Sequence, residues 1–224
     1  MKILVVGGTR FVGKPLVARL LKNGNSLTLF TRGRNAVPNN VEHIAGDRSK
    51  DEDLLPLKGR TFDVIIDSSG RTLEDSQKLL ALTGLPKERF LYVSSAGVYA
   101  ISEKIPLNEN SPIDFSSRHI GKAETEHWLQ QEGVPFTSFR PTYIYGPGNY
   151  NPIERWFFDR ITHSRPIPLP GNGKTITQLG HVDDLAEAMV RSLDVDSAVG
   201  RIYNCSGKQA VTFEGLVSAA ALAC

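Results

Sequence analysis

From Val5 to Gly13 the chain reads VVGGTRFVG, a glycine-spaced turn with an arginine inside it. Such a turn, set between a strand and a helix, aims the free N–H groups of the helix's first turn at an anion. A dinucleotide pyrophosphate is the usual occupant. Gly7 supplies the tight bend and Gly13 lets helix and strand pack closely, while Pro15 suits a helix start, where early N–H groups have no intrahelical partner. With Gly7 and Gly13 as first and third glycines, Arg10 falls on the middle one and can lay its guanidinium along a phosphate. Gly7, Thr9, Arg10, Phe11, Val12 and Gly13 are the expected pyrophosphate contacts.

The next strand ends LFTRGR. Folds that select NAD place a carboxylate here to bind both ribose hydroxyls; this chain has Thr31, followed by Arg32 and Arg34. No acid repels a 2′-phosphate and two guanidiniums can hold one, so NADP is favoured over NAD. In AGDRS, Asp47 is placed to accept from an adenine amino group, with Arg48 beside it. In DSSGR, Ser68, Ser69, Gly70 and Arg71 fall at the mouth of the same crevice.

The elements that position these residues follow from apolar patterning. Lys2–Val6, Ser26–Thr31, Val41–Ala45, Phe62–Asp67 and Phe90–Ser94 are continuous apolar or β-branched runs, the signature of parallel strands covered on both faces. Helical patterns lie between them at Pro15–Lys22, Glu74–Thr83 and Ser117–Gln131. A sixth strand is expected over Phe136–Ile144, then a helix Ile153–His163, a loop and hairpin in PIPLPGNGKTITQLG, a helix Asp183–Leu193 capped by Asp183 and Asp184, and a short strand Arg201–Cys205. This is an α/β chain with a doubly wound parallel sheet of the Rossmann type. The whole of 1–224 reads as a single NAD(P)-binding domain that includes parts of a small C-terminal substrate lobe, about 146–180 and 200–224. The final VTFEGLVSAAALAC has Thr212 as N-cap and then a helical run without a C-cap glycine; the expectation is a chain truncated there, with further residues to cover this helix.

A net charge of +2 gives no general pull toward nucleic acid, so any such binding needs a local basic patch. Two cysteines, Cys205 and Cys224, form no metal or disulfide framework and suit a reducing, cytoplasmic setting. No run reaches the ~20 apolar residues of a membrane span, and none suits a signal peptide.

VGGTRFVG, FLYVSSAGVY, RHIGKAETE, RPTYIYGPG and GNGKTITQLGHVDDLAEAM occur in the order and spacing of the extended short-chain dehydrogenase/reductases, which include nucleotide-sugar epimerases and dehydratases; the chain resembles them along nearly its whole length. More narrowly, GGTRFVG, IDSSGR and RWFFDRI resemble the chloroplast stem-loop RNA-binding proteins and their cyanobacterial relatives, a group associated with RNA binding and metal-dependent RNA cleavage. The chain's start at Met1, without a transit peptide, suits the cyanobacterial branch. The wider resemblance puts Ser95 on the catalytic serine and Lys122 on the lysine that lowers the tyrosine pKa and holds the nicotinamide ribose. Pro141 and Tyr143 join the cofactor contacts, and a homodimer through Ser117–Gln131 is implied. Four residues before Lys122, where the family has its catalytic tyrosine, stands Arg118. A guanidinium holds its proton at working pH and cannot act as a general base.

Arg71, Tyr99, Asn149, Arg155 and Gln178 are the candidate substrate contacts, although Gln178 also reads as a hairpin residue. GNGKT is not a phosphate-binding P-loop, because Pro168 takes the place of its first glycine. His119 and Glu126 can share a helix face but lack a third ligand, so no metal is expected. Two functions remain open. One is RNA binding, extending to RNA cleavage, on a rim bearing Arg10, Arg32, Arg34, Arg48, Arg71 and Arg118. The other is an NADP-dependent epimerase, dehydratase or reductase acting on a sugar or nucleotide-sugar; a third, quieter reading is NADP(H) binding without turnover.

Overall fold

The computed structural model describes residues 1–151 and 153–224. In chain order the elements are β1 (Lys2–Val6), α1 (Gly13–Lys22), β2 (Ser26–Thr31), β3 (Glu42–Ala45), α2 (Asp51–Leu54), β4 (Val64–Asp67), α3 (Leu73–Thr83), β5 (Arg89–Val93), α4 (Ile120–Gln131), β6 (Phe136–Pro141), β7 (Tyr143–Tyr145), α5 (Ile153–Thr162), β8 (Ile176–His181), α6 (Val182–Ser192), β9 (Arg201–Cys205), β10 (Ala210–Thr212) and α7 (Phe213–Leu222). Seven strands form one parallel sheet in the order β3-β2-β1-β4-β5-β6-β9. The winding direction reverses between β1 and β4, which opens a crevice outside their C-terminal ends.

Alternation along each strand sends side chains to two helical layers. On one face Ile3, Val5, Leu29 and Ile66 meet Leu16 and Leu20 of α1 and Leu185 and Met189 of α6. On the other, Leu4, Val6, Phe30, Phe90 and Tyr92 meet Leu79 of α3 and Leu129 of α4. Apart from the exposed first residues of β1 and β2 and the half-buried end of β5, these strands are buried along their length, as their unbroken apolar runs require.

Charged groups also sit inside this packing, Arg89, Glu126 and Arg140 among them. The Arg89 guanidinium, on a residue 4% exposed, donates to Thr137 Oγ1 (3.0 Å) and to the Ser192 carbonyl (3.1 Å), tying the start of β5 to β6 and to the end of α6. Glu126 of α4 accepts three bonds from Arg140 of β6, at 3.2, 3.1 and 2.7 Å, and one from Ser138 Oγ at 2.6 Å.

Four expected features differ. The strand anticipated over Phe136–Ile144 is two strands in two sheets: Pro141 ends β6, the Thr142 N–H turns to the Cys205 carbonyl, and β7 pairs with β8 instead. The expected hairpin is absent from the described residues; β8 is a single strand flanked by β7 (parallel) and β10 (antiparallel). Helix α6 is capped by the His181 ring, whose Nδ1 accepts from the Asp183 N–H at 3.2 Å, while Asp183 and Asp184 lie in its first turn. The helix expected from Ser117 begins at Ile120, after a turn in which Ser117 Oγ accepts from the His119 N–H.

The three-stranded sheet carries α5 and α7, which enclose an apolar groove lined by Tyr143, Tyr145, Phe157, Leu179, Leu216 and Ala220. Thr212 caps α7 as expected, accepting from the Gly215 N–H at 3.0 Å. Ala221 is exposed and Leu222 is 90% exposed, so the apolar end of α7 is uncovered. Among the described residues no helix is long and apolar enough to cross a membrane.

Candidate dinucleotide crevice and reaction centre

The glycine turn leaves β1 at Val6 and enters α1 at Gly13. Gly7 and Gly8 have φ of 105° and 97°, a region closed to most side chains. A Cβ on Gly7 would lie 2.4 Å from Ser68 Oγ, and one on Gly13 would lie 2.4 Å from the Gly8 Cα. The outer glycines thus do the two jobs expected of them, bending the chain and letting α1 close on it. Phe11 is also left-handed, at φ 37°, with its ring almost fully buried. Among the described residues no acceptor takes the N–H of Phe11 or Val12, which fits a turn built to bind an anion such as a pyrophosphate. A nicotinamide dinucleotide bound there would supply hydride transfer chemistry.

At the C-terminal end of β2, Thr31 Oγ1 is paired with His43 Nε2 at 2.9 Å and accepts from the Gly33 N–H at 3.3 Å. Arg32 and Arg34 are exposed beside it. Asp47 Oδ1 accepts from the Ser49 N–H and Oγ, and these bonds, more than the nearby Arg32 charge, hold its carboxyl below the usual range. Sequence reasoning misses His43, because a histidine on an edge strand carries no motif.

Arg48 is a correction. Its Nη1 and Nη2 donate to the two oxygens of Asp67 at 2.6 and 2.9 Å, and Asp67 is fully buried. The same carboxylate accepts from the Gly70 N–H (2.7 Å), the Ser69 N–H (3.1 Å) and Ser76 Oγ (3.2 Å). Burial alone would raise the Asp67 carboxyl; the Arg48 charge and these bonds hold it below its ordinary value instead. Arg48 is therefore neutralised internally and leaves the set of free rim cations. Ser69 Oγ accepts a third bond from Arg48 at 2.9 Å, and Ser68 Oγ bonds the Val6 carbonyl at 2.9 Å, so both serines brace the crevice wall.

Beyond β5, Ser95 Oγ accepts from the Gly97 N–H at 3.0 Å. Lys122 Nζ donates to the carbonyls of Gly70 (2.9 Å) and Val93 (2.5 Å) and lies 5.2 Å from the Tyr92 ring centre. Burial pushes its ammonium down to about 8. Arg118 is exposed, and its Nε donates to His119 Nε2 at 3.1 Å. That imidazole packs so closely on Gly97 that a Cβ there would lie 2.6 Å from its Cδ2. Burial first, then the charges of Arg118, Lys122 and Arg71, lower the His119 pKa. Glu126 points instead to Arg140, so His119 and Glu126 do not meet. Among the described residues no cluster of three His, Cys, Asp or Glu side chains can hold a metal.

The hydroxyl of Tyr99 donates to Asn204 Oδ1 at 2.6 Å and accepts from Arg140 Nη1 at 2.9 Å. It is held in a structural network, away from a base's role. Tyr143 is 57% exposed at the start of β7, and Pro141 closes β6. Asn149 Nδ2 donates to Glu154 Oε2 at 2.8 Å, linking its loop to α5. Arg155 stands in solvent, 3.7 Å from Asp159, and Arg71 is exposed at the end of the β4 loop. Gln178 Nε2 donates to the Gly207 carbonyl at 2.6 Å and faces Ala210 across the β8–β10 pair. Asp67 and Arg140 are the residues of most consequence here that patterning missed, and Glu126 has Arg140 in place of the His119 neighbour the helix spacing offered.

Residues 3–206 match the model of the NAD dependent epimerase/dehydratase family. The chain is 46% identical over 240 residues to the chloroplast stem-loop binding protein of 41 kDa b from Arabidopsis thaliana, covering 99% of this chain and 63% of that one. The chain thus spans less than two thirds of that relative, whose name places it in the chloroplast and does not fit a plain cytoplasmic setting. A putative UDP-glucose 4-epimerase of Methanocaldococcus jannaschii is 22% identical over 223 residues, covering 86% of this chain and 73% of its own. Among solved structures, the Thermus thermophilus UDP-glucose 4-epimerase in complex with NAD matches with a TM-score of 0.80 over 100% of this chain and 83% of that one, at 22% identity, a likeness of fold. A match that runs through the dinucleotide half and on into the strands beyond it shows that the chain belongs to the NAD dependent epimerase/dehydratase family.

Proposed function

We propose that this protein binds NADP(H) in its crevice and RNA phosphodiesters on the arginine-bearing rim, in place of the hydride transfer of its family. The observation that carries this reading is the guanidinium of Arg118, four residues before Lys122, where proton transfer needs a group able to give and take a proton. Tyr99 offers no substitute, since both its hydrogen-bonding roles are filled. Arg10, Arg32, Arg34, Arg71 and Arg118 are all exposed, and the 46% identical relative is by name a stem-loop binding protein. The reading extends to the substrate lobe, about 146–180 and 200–224, as the surface beside the rim, and to a homodimer through α4, which sedimentation would detect.

The test is a titration of a fluorescent stem-loop RNA at several salt concentrations. Three to five phosphate contacts give a slope of log affinity on log salt of roughly −2 to −4. Arg118→Ala weakens RNA binding, lowers the slope by about 0.7 to 0.9, and leaves NADP(H) affinity nearly unchanged. Reduction of NADP⁺ by a nucleotide-sugar at ordinary enzyme rates would refute the RNA reading as the main function.

A further inference from the structure

The loop between β7 and α5 reaches across to the glycine turn. The Arg10 guanidinium carbon lies 4.0 Å from the centre of the Tyr150 ring, and the Phe11 ring meets the same tyrosine edge-on, with centroids 6.0 Å apart at 84°. Two consecutive residues of the turn thus converge on one aromatic from a segment about 140 positions later in the chain. Tyr150 is 64% exposed, so burial of its own apolar surface does not account for its place. Nor does a hydrogen bond, because its hydroxyl has no partner among the described residues.

A guanidinium stacks through its face and donates through its edge. With its guanidinium carbon 4.0 Å over the Tyr150 ring, Arg10 meets the aromatic face without using an N–H hydrogen bond, so its donors stay available for a phosphate. The left-handed backbone of Phe11 turns the chain immediately after Arg10, and an aromatic residue in that region holds its shape only where its surroundings fix it. The buried Phe11 ring, anchored against Tyr150, does so. A free arginine at this position would lose side-chain freedom on gripping an anion, whereas an arginine already laid on an aromatic face loses less.

We infer that Tyr150 is a positioning residue for Arg10, and that the pair forms a wall of the pyrophosphate subsite beside the free N–H groups of the glycine turn. This rests on the dinucleotide reading of the crevice. It has a second consequence: Asn149 and the Gly146 N–H both bond Glu154 of α5, so a pyrophosphate held by Arg10 also steadies the loop that borders the substrate lobe.

The test is calorimetric titration with NADPH and, in parallel, with adenosine 2′-monophosphate, which lacks the pyrophosphate. Arg10→Ala weakens NADPH binding about 10- to 100-fold, the range of a charge-assisted hydrogen bond. Tyr150→Ala weakens it about three- to tenfold, and Tyr150→Phe restores wild-type binding because the ring face is kept. The double variant binds no more weakly than Arg10→Ala alone, since Tyr150 acts through Arg10. Adenosine 2′-monophosphate affinity is unchanged throughout, which separates loss of the subsite from loss of fold. Multiplicative losses in the double variant, or a Tyr150→Ala protein that binds NADPH as the wild type does, would overturn the inference while leaving the crevice reading intact. A wild type that binds neither adenosine 2′-monophosphate nor NADPH would overturn both.

Discussion

Arg32 and Arg34 make a charge argument that a single substitution can decide. Both are exposed beside Thr31, and no acid lies at that strand end. A 2′-phosphate there gains one or two charge-assisted bonds, so NADP(H) should bind about 10- to 100-fold more tightly than NAD(H). Arg32→Asp should erase or reverse that ratio in a titration of both cofactors; equal wild-type affinities would refute it. The outer glycines of the turn are readable in the sequence because their roles depend on spacing within a dozen residues. Asp67 is not. At the end of an apolar run it reads as a strand-end polar residue, and its meaning comes from Arg48, 19 positions earlier, which turns inward to meet it. Glu126 is misleading in another way, since the helix spacing offers His119 as its neighbour and only Arg140 of β6 fixes its partner. Isolated charges in a sequence carry no label for the partner that buries them.

At the level of elements, local rules succeed where local chemistry decides and fail where a neighbour decides. Helix α3 begins with a complete capping box: Thr72 Oγ1 accepts from the Asp75 N–H at 3.3 Å while Asp75 Oδ2 accepts from the Thr72 N–H at 3.1 Å. Asp75 Oδ2 also takes the Arg71 N–H at 2.8 Å, so this cap shapes the loop that presents Arg71. Thr72→Ala should cost about 1 kcal/mol in urea denaturation without altering the slope of the transition. A change near zero would show that the Asp75 carboxylate holds the helix start alone. The buried strands are legible from apolar runs, whereas the break at Thr142 is not, because the pattern RPTYIY stays strand-like on both sides of it. Only the arrival of β9 and β8 assigns the two halves to different sheets. The cap of α6 misleads for a similar reason: carboxylates outrank imidazole as caps, yet Tyr145 meets the His181 ring edge-on at 5.1 Å and fixes it where it can accept.

The whole molecule registers its own buried charge through pH. Lys122 has its ammonium pushed down to about 8 by burial, against 10.5 for the free side chain. Below pH 8 both folded and unfolded chains carry the proton, and burial of the charge weakens the fold. Between 8 and 10.5 the folded chain releases its proton first, so the unfolded chain binds more protons and stability rises with pH. Tyr92 and Cys205, both raised by burial, act oppositely at the alkaline end, so the comparison must be differential. The unfolding free energy of the wild type minus that of Lys122→Met should climb from pH 8 to 10.5; a flat difference would place the charge in a solvated setting. The Arg89 guanidinium has a consequence in time. Its acceptors are Thr137, 48 residues further on, and the carbonyls of Ser192 and Val195, 103 and 106 further on. As the chain leaves the ribosome, β1, β2, β4 and β5 can assemble early, since β1 lies between β2 and β4 and β5 pairs with β4. That nascent sheet holds a cation whose partners have not yet been synthesised, and its edge must stay wet until α6 emerges. Translation therefore delivers a half-sheet that cannot dry itself, and the last helix of the central layer seals the first strands made.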